Sequence, residues 1–179
     1  MDTKIITTSD TGDFSLVERL LTDAFPEDER RPLDAFRRLA DDDDRFNVIL
    51  LSDGAAPVGF ITVWDFDDFR YVEHFAILPE MRCHRYGARA LETLLASDRR
   101  PVVLEVEMPE DELTTRRVGF YTRCGFAMLP DAYIQPPYRP GGASLPMKIM
   151  AWAPDGVRVP SFSHIRLTLH REVYGVTNP

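Results

Sequence analysis

Residues 82 to 89 read RCHRYGAR, and three arginines surround one glycine where an apolar run, HFAIL, gives way to a helix-like stretch, LETLL. A strand that hands over to a helix leaves the helix's first amides without intrahelical partners, and the helix dipole is positive at that end. Such an end binds anions, phosphates above all. Gly87 removes the Cβ that would hold a phosphate off the backbone. Arg82, Arg85 and Arg89 supply guanidinium groups matched to phosphate oxygens. The plain alternative is a helix start decorated with surface arginines. The segment is not a Walker loop, since no GK[ST] follows, and not a dinucleotide fingerprint, since the glycine triplet is missing.

The second cluster is acidic. In FRYVEHFAIL, strand alternation places Glu73, Phe75 and Ile77 on one face and His74 and Ala76 on the other. In PVVLEVEM, Glu105 and Glu107 share a face. Ionised groups at strand centres are costly without a partner. These carboxylates therefore either do general-base work, form salt bridges to Arg70, Arg116 or Arg117, or are exposed to solvent at a strand end. His74 reads first as a hydrogen-bonded structural histidine and second as a base. Tyr133, Gln135 and Tyr138 lie in PDAYIQPPYRPGGASLP, a long Pro/Gly/Tyr loop. It either closes over a substrate or wraps rigidly on the core.

The elements around these residues follow from periodicity. TKIITT reads as a first strand. Phe14, Val17, Leu20, Leu21 and Ala24 fall at helical spacing behind Asp13, a candidate N-cap, and Pro26 ends that helix. RRPLDAFRRLA reads as a second short helix, and Asp41 to Asp44 as a solvated loop. FNVILLS, VGFITVWDF and FRYVEHFAIL, joined by short turns, predict an antiparallel meander. GARALETLLASD is a helix, and PVVLEVEM a strand that should lie parallel to YVEHFAIL through a right-handed crossover. DELTTRRVGFYTRC is a helix closed by Gly125. FAML and MKIMAWA are strands. In the tail, Ile165, Leu169 and Val173 share a helical face, although Ile165, Leu167 and Leu169 also alternate as in a strand; helix is preferred.

Bulk properties narrow the partners. The chain has 179 residues, a net charge of -8 and 44% hydrophobic residues, which suits one globular domain. The negative charge argues against nucleic acid or an anionic membrane and suits a cationic small molecule or basic peptide. No signal-like or membrane-spanning apolar stretch is visible, so the cytoplasm is the default location. Cys83 and Cys124 have the spacing of neither a disulfide framework nor a zinc site, and no metal is expected.

The order of elements together with these motifs resembles the GCN5-related N-acetyltransferase (GNAT) superfamily over roughly residues 4 to 152. That family's pyrophosphate loop reads Gln/Arg-x-x-Gly-x-Gly/Ala. Arg82 matches its first position and Gly87 its last, while Arg85 stands where the first glycine would be. GFYTRCGF looks like the family's Gly-Phe-Tyr-x-x-x-Gly-Phe segment, and LEVE like its splayed fifth strand. The resemblance implies an α/β (α+β) fold with a mixed, mostly antiparallel central sheet, a splayed parallel strand pair and flanking helices. Residues 1–153 would form the acyltransferase domain. Residues 154–179 would be a C-terminal extension that packs on it or mediates a homodimer.

It also implies the chemistry, acetyl transfer from acetyl-CoA to a primary amine of a small molecule or peptide by direct attack in a ternary complex. The backbone of Phe75, Ala76 and Ile77 would pair with the pantetheine arm, and an N–H near Ala76 or Ile77 would polarise the thioester carbonyl. The segment Arg82, Arg85, Tyr86, Gly87, Ala88 and Arg89 would cradle the pyrophosphate, with amides of Arg85 to Arg89 as donors. Tyr121 would protonate the leaving sulfur, Glu105 or Glu73 would act as base directly or through water, and Glu107, His74, Tyr133 and Tyr138 would meet the acceptor. A non-catalytic acyl-CoA sensor of the same fold, or a transferase using another donor such as succinyl-CoA, are the alternatives.

Overall fold

The computed structural model describes residues 1–177. Eight strands form one sheet: β1 (Asp2–Ile6), β2 (Phe46–Asp53), β3 (Ala56–Asp65), β4 (Arg70–Ile77), β5 (Val102–Glu107), β6 (Ala127–Met128), β7 (Tyr133–Gln135) and β8 (Leu145–Trp152). Five helices accompany them: α1 (Thr11–Ala24), α2 (Leu33–Asp42), α3 (Tyr86–Ala96), α4 (Glu112–Arg123) and α5 (Phe162–Thr168), the last running on into a π-helical turn over Leu169–Val173. The strand order is β1-β2-β3-β4-β5-β8-β6, with β7 also on β8. All pairs are antiparallel except β4–β5. Its parallel sense follows from the helical crossover through α3.

The sheet separates two cores. On one face α1, α2 and the tail bury Phe14, Val17, Phe36, Ile165 and Leu169 against Trp64 and Tyr71. On the other face Ala90, Leu91 and Leu94 of α3, with Phe126, cover Ile61, Val72 and Leu104. Val103 and Leu104 belong to opposite cores, as the pleat requires. Asp111 begins α4 with a capping box to Thr114, and Gly125 ends it at φ 91°. Gly59 of β3 is forced by close approach: a Cβ there would stand 2.2 Å from the carbonyl oxygen of Ala76. It lets the end of β4 press against its neighbour.

Four local expectations change. Asp10, not Asp13, precedes α1; Lys4 bonds both carboxylates, at 2.7 and 3.1 Å. Helix α2 runs through Asp42, and Asp41 accepts from the Thr8 amide and hydroxyl. The long Pro/Gly/Tyr loop contains β7, paired with β8 through Tyr133 and Gln135.

The fourth change concerns Glu73. Thr62 faces His74 while Val63 faces Val72, so Glu73 is an extra residue in β4, a β-bulge. Simple alternation had grouped Glu73 with Phe75 and Ile77. The bulge instead turns its carboxylate to the face of α1 and the tail, where the Trp64 indole meets it. The tail is helical, with Ile165, Leu169 and Val173 all buried against the domain. No helix among the described residues is long and apolar enough to cross a membrane.

Candidate active site

Strands β4 and β5 pair only at Arg70–Val72 with Val102–Leu104, then part. From Glu73 to Ile77 the β5-facing edge of β4 has no strand partner among the described residues. A cavity of about 230 Å³ fills the split. Phe75, Ala76 and Ile77 line it from β4, Glu105 and Glu107 from β5, and Tyr121 from α4. Arg82 stands at its rim, its Nε donating to the Ile77 carbonyl at 3.2 Å.

The phosphate-type junction lies next along the chain. Cys83 (φ 65°) and Arg85 (φ 62°) both adopt the left-handed region, and Arg85 is the N-cap of α3. The first-turn amides of Tyr86, Gly87 and Ala88 have no acceptor within the helix. The Arg89 amide does not join them, because it donates to the Arg85 carbonyl at 3.0 Å. The side chains of Tyr86 and Arg89 also turn elsewhere: the Tyr86 hydroxyl donates to Asp53 at 2.7 Å, and Arg89 lies over the Tyr86 ring. Gly87 has a packing reason besides any anion, since a Cβ there would meet the Phe120 ring at 3.3 Å.

Arg85 occupies a conformation that costs an L-residue about 1 kcal/mol or more and glycine almost nothing. Arg85→Gly is therefore expected to stabilise the fold by about 0.5–1 kcal/mol, after the entropy cost of glycine in the unfolded chain. Thermal denaturation followed by circular dichroism checks this; an unchanged or lower Tm would mean that the arginine side chain holds the loop.

The candidate carboxylates differ sharply. Glu73 is fully buried and accepts from Arg31 Nε at 3.1 Å and from Trp64 Nε1 at 2.9 Å. Burial works against its ionisation, but the Arg31 charge wins and holds its pKa below the ordinary range. Glu105 has no cation bonded to it among the described residues. Its Oε2 accepts from the Tyr174 hydroxyl at 2.6 Å, Tyr71 at 3.0 Å and Gln135 Nε2 at 2.5 Å, and its Oε1 from Tyr133. Burial pushes its pKa up, and these four donors oppose the shift without cancelling it. Glu107 is paired with Arg117 at the cavity rim. Of the three arginines expected to neutralise these acids, Arg117 does so; Arg70 pairs instead with Asp65 at 2.8 Å.

His74 is buried and lines the cavity, with Nε2 3.0 Å from the Glu29 carbonyl and Nδ1 3.4 Å from the Thr62 hydroxyl. A carbonyl only accepts, so Nε2 carries the proton and Nδ1 faces a donor. Burial lowers its pKa and keeps it neutral. The Tyr121 ring packs edge-on against Phe120 and Phe126, and its hydroxyl has no hydrogen-bond partner among the described residues. Burial pushes the phenol up to about 12. Tyr138 lines the cavity, its ring 6.0 Å from that of His74. Tyr133 does not line it, but reaches Glu105 from behind.

Sequence reasoning missed Arg31, Glu29, Tyr71 and Tyr174. Glu29 lines the cavity from the loop after α1, and burial and then the Glu107 charge raise its pKa. Tyr174 follows directly on Val173 of the tail's apolar face, the one local signal that it points inward. Among the described residues no group of three His, Cys, Asp or Glu side chains is placed to hold a metal.

A parted parallel strand pair, a cavity in the split and an amide-rich helix start beside it are the features of a GNAT-type fold. The chain belongs to that family: the model of the acetyltransferase (GNAT) family matches residues 14–126. A GNAT-family acetyltransferase structure from Bacteroides thetaiotaomicron is similar at 42% identity and TM-score 0.93, covering 99% of this chain and 100% of that one. The fold is shared with two more distant structures. An aminoglycoside 6'-N-acetyltransferase complexed with coenzyme A has 15% identity and TM-score 0.59, over 90% of this chain and 100% of that one. The yncA protein of Salmonella typhimurium, solved with acetyl-CoA, has 15% identity and TM-score 0.60, over 90% and 98%. No curated protein matches the chain.

Proposed function

We propose that the protein transfers an acetyl group from acetyl-CoA to a primary amine of a small molecule or peptide, by direct attack in a ternary complex. The observation that carries this reading is the unpaired edge of β4 opening into the cavity that holds Tyr121. The residues present fit the donor. The free edge from Glu73 to Ile77 offers backbone groups to the amides of a pantetheine arm, as an added strand would. The amides of Tyr86, Gly87 and Ala88, with Arg82, suit a pyrophosphate. Acetyl-CoA would supply an activated thioester.

An N–H near Ala76 or Ile77 would polarise the thioester carbonyl. As the N–C bond forms and the C–S bond breaks, Tyr121 gives its proton to the sulfur and then takes one from the acylated nitrogen. Before attack the ammonium must lose its first proton. Glu105 is the better base of the two candidates, because no cation among the described residues holds it ionised while Glu73 has Arg31. Glu29, which has no ion pair among the described residues, would make the cavity attractive to a cationic acceptor, whereas Glu107 is already matched by Arg117.

The test is thermal shift with acetyl-CoA and succinyl-CoA, together with free-thiol release over a panel of primary amines. Stabilisation by acetyl-CoA plus amine-dependent thiol release supports the reading. Stabilisation without release from any amine would replace it with an acyl-CoA sensor, and a response to succinyl-CoA alone would change the donor.

A further inference from the structure

Glu105 cannot be reached by an ammonium as easily as its place on the cavity wall suggests. A carboxylate has about four acceptor positions, and four donors already converge on this one: Tyr71 from β4, Tyr133 and Gln135 from β7, and Tyr174 from the tail. Three of them crowd Oε2, so an incoming ammonium has only the remaining position on Oε1, beside the Tyr133 hydroxyl. The network nevertheless meets the cavity at a second point. The Tyr138 hydroxyl lies 3.4 Å from that of Tyr174, and Tyr138 lines the cavity.

The directions of these bonds are fixed by chemistry. An ionised Glu105 only accepts, so the Tyr174 proton points at Oε2. The Tyr174 oxygen is then an acceptor, and Tyr138 can donate to it. The result is an ordered row, Tyr138 to Tyr174 to Glu105, running from the cavity to a buried carboxylate that no cation among the described residues neutralises. The neighbouring acid, Glu73, also attracts the Tyr138 hydroxyl, but Arg31 faces it and holds it ionised, so it does not take the proton.

We propose that Tyr138 and Tyr174 relay the acceptor's proton to Glu105, so that the C-terminal segment takes part in the reaction. The inference rests on the acetyl-transfer reading above. The ammonium N–H breaks toward Tyr138 Oη, the Tyr138 proton passes to Tyr174 Oη, and the Tyr174 proton passes to Glu105 Oε2. Both phenols end with one proton, Glu105 becomes a carboxylic acid and the amine lone pair is free to attack. The proton leaves by the reverse path after the product departs. Tyr138 is the member that touches the acceptor; Tyr174, acting through its neighbours, is a positioning residue held by the packing of Leu169 and Val173.

The test compares Tyr138→Phe, Tyr174→Phe and Tyr71→Phe in the full-length protein, with kcat, KM for the amine, acetyl-CoA affinity and solvent isotope effect measured for each. Tyr71 also donates to Glu105, and its hydroxyl lies 3.3 Å from that of Tyr174, but it does not line the cavity and so stands beside the row rather than at its entry. The relay predicts that kcat falls about 100-fold, within the usual range for general-base catalysis, in Tyr138→Phe and Tyr174→Phe. Acetyl-CoA affinity should hold, the multi-proton isotope effect should vanish, and Tyr71→Phe should lose far less. Equal losses in Tyr71→Phe and Tyr174→Phe would mean a merely structural cage and overturn the relay. So would a kcat within threefold of wild type in Tyr174→Phe. Tyr174→His, which keeps a proton-passing group, should recover part of the loss. A wild type that releases no thiol with any amine would instead overturn the acetyl-transfer reading itself, and the relay with it.

Discussion

Tyr121→Phe is expected to lower kcat by about 100-fold or more while leaving acetyl-CoA affinity within twofold. The change removes one oxygen from a ring whose packing against Phe120 and Phe126 does not depend on it. That oxygen has no hydrogen-bond partner among the described residues, so no network unravels with it. What is lost is a proton donor at the sulfur, a contribution of about 10²–10⁴-fold where general acids have been removed. The phenol's position at about 12 sets two further results. An acid must be protonated to act, so the alkaline limb from this group lies near pH 12, and activity should not fall between pH 8 and 10 on its account. The same burial disfavours a naked thiolate, so a more acidic leaving thiol should need the donor less. Steady-state kinetics with acetyl-CoA and with an activated aryl thioester check both. Equal loss on the two substrates, or kcat within threefold of wild type, would remove Tyr121 as the acid.

The two halves of the site differ in how they can be read from a sequence. The donor side is local. A strand, a turn with arginines and Gly87, and a helix start follow one another within the residues from His74 to Ala96, so chain order alone brings them together. The parallel sense of β4 and β5 follows just as locally from the helix between them. The acceptor side is not local. Tyr174 is 69 residues from Glu105, and Arg31 is 42 residues from Glu73. No periodicity links such pairs; only the packing of the tail and of the loop after α1 does. The bulge at Glu73 shows the limit most clearly. Alternation assigns each side chain to a face on the assumption that every residue has one partner, and a single extra residue shifts the phase from Glu73 back along β4, so that Tyr71 and Glu73 lie on the face of Ala76 rather than that of Phe75 and Ile77. The glycine at 87 carried a further ambiguity, since phosphate approach and the close Phe120 ring call for the same residue.

Arg31 is where the acceptor side is most vulnerable. Arg31→Met is expected to destabilise the protein by about 3–5 kcal/mol, the usual result of leaving one member of a buried ion pair alone. The Glu73 side chain has 0% exposure and Arg31 15%, so water cannot replace the lost charge. The pH dependence has a definite sign. In the wild type Glu73 ionises below its ordinary value of 4.5; its stabilisation is present above that value and is lost as pH falls through the folded-state pKa. In the variant only hydrogen bonds such as that from the Trp64 indole still oppose burial, so the folded-state pKa is expected to rise above its ordinary value and stability to decline as pH rises through that range. The gap between the two proteins should therefore be small in acid and widen toward pH 7. Arg31→Met with Glu73→Gln should close most of it, because glutamine keeps an acceptor for the Trp64 indole without a charge. Urea denaturation at several pH values measures all three proteins. A gap that does not change with pH, or a double variant no better than the single one, would show that Arg31 acts through something other than Glu73. One such route exists, since Arg31 also donates to the Val173 carbonyl at 2.6 Å and lies over the Tyr138 ring at 5.1 Å. Even where the double variant regains stability, this route predicts that it stays impaired in kcat, because Tyr138 and Tyr174 would no longer be held against each other.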